Sequence, residues 1–151
     1  MKTAILVDGG FYRRMAQKAK GYVSAEERAE ELENYCHRHL KNHTKKVDYL
    51  YRIFYYDCMP TGDIIYHPYL KEQIDYSKTD LYKWMSIFID ELKKKRKFAL
   101  RLGRLAPKHD KSWFTIKPSS FKKLCNGKKQ FDKLKEDDFN LSIEQKGVDI
   151  K

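Results

Sequence analysis

The chain has 151 residues and a net charge of +11, with 41% hydrophobic and 14% aromatic residues. This composition suits one globular domain with a real core and excludes a disordered chain. No apolar run approaches the roughly 20 residues that span a bilayer, and Asp8, Arg13 and Arg14 interrupt any leader-like segment, so no membrane association is expected.

Residues 3–8 read as a strand buried on both faces, because Ala4, Ile5, Leu6 and Val7 form a continuous apolar run that ends in Asp8. Gly9 and Gly10 make a turn, and residues 11–20 form a first short helix. Ser24 and Glu27 give a capping box for a second helix over 25–43, with Leu32, Tyr35, Cys36, His39 and Leu40 at helical spacing. Residues 47–57 form a strand dense in β-branched and aromatic residues, which also ends in an acid, Asp57.

Residues 58–76 contain Pro60, Gly62 and Pro68 and read as an irregular excursion that folds over a cleft. Ser77 and Asp80 open a third helix, whose apolar stripe is Trp84, Ile87, Phe88 and Leu92. Residues 98–105 form a third strand carrying Arg101 and Arg104, and 113–118 a fourth at an edge or in a hairpin. Ser119 caps a short segment reaching Cys125, Asn126 and Gly127 turn, and 128–140 is charged and loop-like. Strands alternating with helices imply right-handed crossovers and a parallel sheet covered on both faces. Ligands of such sheets bind at the carboxyl ends of the strands, where Asp8 and Asp57 fall.

The three cysteines, Cys36, Cys58 and Cys125, are odd in number and widely spaced, which argues for a reducing cytoplasm rather than a disulfide framework. Cys36, His37 and His39 lack a second cluster to complete a zinc site. From Glu91 to Lys135 there are 16 basic residues and three acids, a local charge of +13. Such a block attracts polyanions, RNA or DNA above all.

Several chemistries fail on motif grounds. The run from Gly9 lacks two of the three glycines of a dinucleotide loop, and no phosphate-binding GK[ST] or G-x-S-x-G elbow occurs. An aspartyl phosphotransferase would carry a second acid two residues after the first, where Gly10 stands. A carboxylate at the mouth of a sheet in a basic protein makes sense when it holds a divalent cation beside a phosphodiester. Equally, Asp8 can be the N-cap of the helix that follows. Both readings stand at this point.

The stretches "AILVDGGFY", "LYRIFYYD", "FALRLGRL" and the terminal "QKGVDIK", in this order, resemble the NYN family of PIN-like nucleases. The resemblance implies a PIN-like, Rossmann-like three-layer α/β/α fold with a mostly parallel sheet, in a single domain over 1–151 that lacks the family's C-terminal part. It implies a metal-dependent ribonuclease using Mg or Mn, with Asp8 and Asp149 as catalytic metal ligands. Lys146 would lie beside the scissile phosphate or stabilise Asp149. Gly9, Gly10, Arg13, Lys93, Lys94, Lys95, Arg96, Arg101 and Arg104 are then the candidate RNA contacts. Exposed aromatics of 49–56 could stack bases, although a strand this aromatic is mostly core. The family's further Asp cluster is missing, so the sheet is expected to be incomplete, leaving the chain marginally stable or dimeric through its bare edge. Two alternatives to catalysis follow: a silent RNA-binding or regulatory module, and an oligomerisation module.

Overall fold

The computed structural model describes residues 2–40, 49–108 and 112–148. The predicted helix end at 41–43, the strand start at 47–48 and Asp149 lie outside the described residues. In chain order the elements are β1 (Lys2–Asp8), α1 (Gly9–Lys20), α2 (Ala25–His39), β2 (Tyr49–Cys58), β3 (Ile64–His67), β4 (Glu72–Asp75), α3 (Asp80–Lys94), β5 (Phe98–Pro107), β6 (Phe114–Ile116), α4 (Pro118–Cys125), β7 (Phe139–Leu141) and β8 (Ile143–Lys146). The fold is mixed α/β. One four-stranded sheet runs β1-β2-β5-β8, β3-β4 form a separate hairpin, and β6 and β7, with α4 between them in the chain, pair as a second antiparallel two-stranded sheet.

β1, β2 and β5 are parallel, as the crossover pattern predicts, but β8 joins antiparallel along Arg104–Pro107, so the sheet is only partly parallel. Its core side carries Ile53 and Tyr55, packed on Ala29, Leu32 and Cys36 of α2 and on Met85, Phe88 and Leu92 of α3. Both helices start where their side chains allow: Ser24 accepts from Glu27 N–H, and Thr79 rather than Ser77 accepts from Tyr82 N–H. Ser77 is held instead in a short 3-10 turn capped by Asp75.

Cover on both faces is not what β1 shows. Its residues alternate between exposed and half-buried, and Leu6 is 55% exposed. The apolar run reads as doubly buried because Ala4 and Leu6 are apolar, yet they belong to the side of an edge strand that α2 and α3 do not cover. Across that open side Phe54 and Tyr56 are half-buried and Arg52 and Arg101 exposed.

No loop separates β1 from α1. Gly9 and Gly10 form the first turn of the helix rather than a hinge before it. A Cβ on Gly9 would lie 2.3 Å from the Tyr55 ring and 2.6 Å from Asp57 Oδ2, so only glycine lets the chain turn there.

Within 58–76, residues 64–75 form the β3-β4 hairpin rather than an irregular excursion. His67 at its heart is fully buried, with its ring 3.9 Å from that of Phe114 and 4.6 Å from that of Phe139. Asp138 fastens the rest of this second layer. It accepts from Ser120 Oγ at 2.7 Å, Lys129 Nζ at 2.5 Å and Lys135 N–H at 2.8 Å. Ser119 does not cap α4, which has Pro118 at its start and no side-chain cap. Among the described residues no helix is long and apolar enough to cross a membrane.

Candidate functional site

The two acids that end strands have different environments. Asp57 side-chain oxygens are 1% exposed and accept four hydrogen bonds. Arg13 gives a two-pronged contact from Nε at 3.0 Å and Nη2 at 3.1 Å. Tyr55 Oη donates at 2.6 Å and the Cys58 N–H at 2.8 Å. Burial, and then the Asp57 charge, push the Tyr55 phenol well above its ordinary range, so it remains a donor. The Cys58 thiol rises for the same two reasons. This cluster joins α1 to β2. Arg13, a candidate RNA contact, holds Asp57, and Asp57 has no lone-pair direction turned to solvent.

Asp8 is exposed. Its Oδ1 accepts from Phe11 N–H at 2.9 Å, so it is the N-cap of α1, while among the described residues no hydrogen bond engages Oδ2. Asp8 lies in register with Tyr56, and Tyr56 with Arg101. Residues in register across parallel strands share a face, so the three form a row over the open side. Two strand spacings separate the Asp8 and Arg101 backbones by about 10 Å. The Arg101 guanidinium stands 5.8 Å from the centre of the Phe54 ring.

Lys146, Gly147 and Val148 come to the same end of the sheet. β8 stops at Lys146, and Gly147, with φ of 80°, turns the chain back over β5. A Cβ on Gly103 would fall 2.2 Å from Val148 Cγ2 and 2.4 Å from the Lys146 carbonyl. Gly103 is two residues beyond Arg101 and shares its face. The Lys146 ammonium is 3.1 Å from Glu144 Oε1, and its backbone pairs with Arg104. Asp149 follows Val148 outside the described residues. Among the described residues no three His, Cys, Asp or Glu side chains gather as a metal-binding group.

The basic candidates divide by position. Lys93 and Lys94 end α3, and Lys95 and Arg96 lead from it into β5, at the opposite end of the sheet from Asp8. The three lysines are paired there, with Asp90 at 2.8 Å, Glu91 at 2.5 Å and Glu33 at 2.7 Å. By contrast Lys122, Lys123, Lys128 and Lys133 are exposed, have no acidic partner among the described residues, and flank Phe121 and Phe131, each 59% exposed. They belong to the α4 layer, which leaves the sheet at the carboxyl end of β5, the end that carries Asp8. Sequence spacing did not single these lysines out, because pairing depends on acids brought from elsewhere.

Set against models of protein families, curated proteins and solved structures, the chain finds no match.

Proposed function

We propose that the chain is a metal-dependent phosphodiesterase acting on RNA, of the NYN type in a PIN-like three-layer domain, as its motifs imply. The observation that carries this reading is the row Asp8, Tyr56 and Arg101 on the open face of a strongly basic protein. Asp8 fits a hard cation, since it is exposed and keeps one carboxylate oxygen outside its capping bond. Mg²⁺ commonly takes one or two carboxylates, several waters and the substrate phosphate, so a large acidic cage is not required. Asp8, joined by Asp149, would hold the ion. The bound ion would neutralise charge building on the phosphate and lower the pKa of water.

The chain's own groups do the positioning. Arg101 offers a planar fork to a phosphate lying between it and Asp8. The Tyr56 ring between them supplies a stacking face. Lys122, Lys123, Lys128 and Lys133 hold the flanking backbone without reading sequence.

Asp8→Asn tests this reading cleanly. Asparagine caps a helix as well as aspartate does, so the fold is kept while the anionic ligand is lost. Mn²⁺-dependent cleavage of a labelled RNA should disappear in Asp8→Asn and Asp149→Asn chains. Undiminished cleavage in both would refute it. The capping bond of Asp8 favours a second reading, a non-catalytic RNA-binding module; it predicts salt-sensitive binding with no cleavage in any of the three chains.

A further inference from the structure

We propose that two copies of this chain pair through β1, antiparallel across a two-fold axis at Ile5, making one continuous sheet. Among the described residues β1 is the edge strand of the sheet, with β2 on one side only. Unpaired strand edges are templates for a further strand, and proteins commonly guard them with charge, proline or short length. β1 has seven residues, no proline, and an apolar centre between Lys2 and Asp8.

The strand is complementary to itself. When residue i faces residue 10 − i, Lys2 of one copy stands opposite Asp8 of the other, Thr3 opposite Val7, and Ala4 opposite Leu6. Directly opposed side chains in antiparallel pairs have Cβ atoms about 5 Å apart, close enough for an ion pair at both ends. The Ala4–Leu6 opposition sets small against large on the open face, where Leu6 is uncovered. Each contact occurs twice, as a closed two-fold interface requires.

Beside this edge, β1, α1 and α2 line a groove of about 530 Å³. Phe11 and Met15 on its wall are 58% and 50% exposed, and Tyr35 is 45% exposed. Apolar side chains collected around one edge strand mark an interaction surface. The other edge of the sheet does not suit a two-fold pairing. β8 covers β5 at Arg104–Pro107, and beyond it the edge of β5 carries Arg101, which self-pairing would bring close to its own copy. Of the two sheet edges among the described residues, the self-complementary one is β1.

The pairing shares Asp8 with the ribonuclease reading but does not rest on it, since its test reads mass and cross-linking rather than cleavage and either can fail alone. In a Cys125→Ser background, Ala4→Cys and Leu6→Cys chains are oxidised separately and as an equal mixture. The register predicts an intermolecular disulfide in the mixture at several times the yield of either chain alone. Sedimentation velocity should give twice the chain mass for the native protein, and the monomer mass for Leu6→Lys with an unchanged circular dichroism spectrum. Lys2→Glu should dissociate the dimer more at low salt than at high salt. A native chain that stays monomeric up to 0.1 mM (about the upper end of the micromolar range in which such contacts form) overturns the proposal. So does equal cross-linking of the single variants, or a Leu6→Lys chain that still sediments as a dimer.

Discussion

Replacing Asp57 by alanine removes a carboxylate whose side chain is 1% exposed and leaves three donors behind. The Arg13 side chain, 25% exposed, loses both prongs of its contact, at 3.0 and 3.1 Å. The Tyr55 hydroxyl and the Cys58 N–H lose their acceptor. Removing one member of a buried pair costs about 3–5 kcal/mol. Because Arg13 reaches water, its share falls toward the lower end, and Asp57→Ala should cost about 3 kcal/mol. For a domain of ordinary stability that is a third or more of the total. Arg13→Met should cost less, about 2 kcal/mol, since Tyr55 and Cys58 still satisfy part of the carboxylate. The double variant Arg13→Met with Asp57→Ala removes both charges together, so it should fall short of the summed single losses by about 1–2 kcal/mol. Urea denaturation followed by far-ultraviolet circular dichroism measures all three. An Asp57→Ala loss under about 1 kcal/mol, or strict additivity, would refute the view that this cluster fastens α1 to the sheet.

Two further outcomes are expected. The Lys129 ammonium, the Lys135 N–H and the Ser120 hydroxyl hold the Asp138 carboxyl well below its ordinary value of 3.8. A depressed folded-state pKa gives stability that is present above about pH 4 and lost as pH falls through the folded value. Near-ultraviolet circular dichroism of the aromatic second layer should therefore decay on acidification, and Asp138→Asn should flatten that profile; an identical profile in the variant would count against it. For nucleic acid, Lys122→Ala with Lys123→Ala should lower the salt slope of single-stranded RNA binding by about 1.4, two contacts at about 0.7 each. Lys93→Ala with Lys94→Ala, whose ammonium groups already face Asp90 and Glu91, should change it less. Fluorescence anisotropy over a salt series decides between the two pairs, and a larger effect from Lys93 and Lys94 would reverse the assignment.

The parallel order of β1, β2 and β5, and α2 with its Ser24 cap, were legible because local pattern and topology agree there. The unlike fates of Asp8 and Asp57 were not. Each ends an apolar strand, but the partner that occupies Asp57 is Arg13, 44 residues away, and the edge position that exposes Asp8 belongs to the assembled sheet. β3, β4, β7 and β8 escaped a periodicity search because strands of three or four residues are shorter than the window that reveals alternation. The basic block was visible as a sum, yet which of its charges are neutralised depends on Asp90, Glu91 and Glu33 arriving beside them.

The joint between β1 and α1 has a mechanical consequence. With no loop between strand and helix, and with Arg13 gripping Asp57 one turn further on, Asp8 is clamped on both sides like the apex of a bracket. Its backbone is fixed by strand and helix together and its Oδ1 by the Phe11 N–H, so a ligand on the carboxylate would be presented at a nearly constant angle. A change at Arg13 would slacken that bracket and alter the reach of Asp8 without touching Asp8 itself.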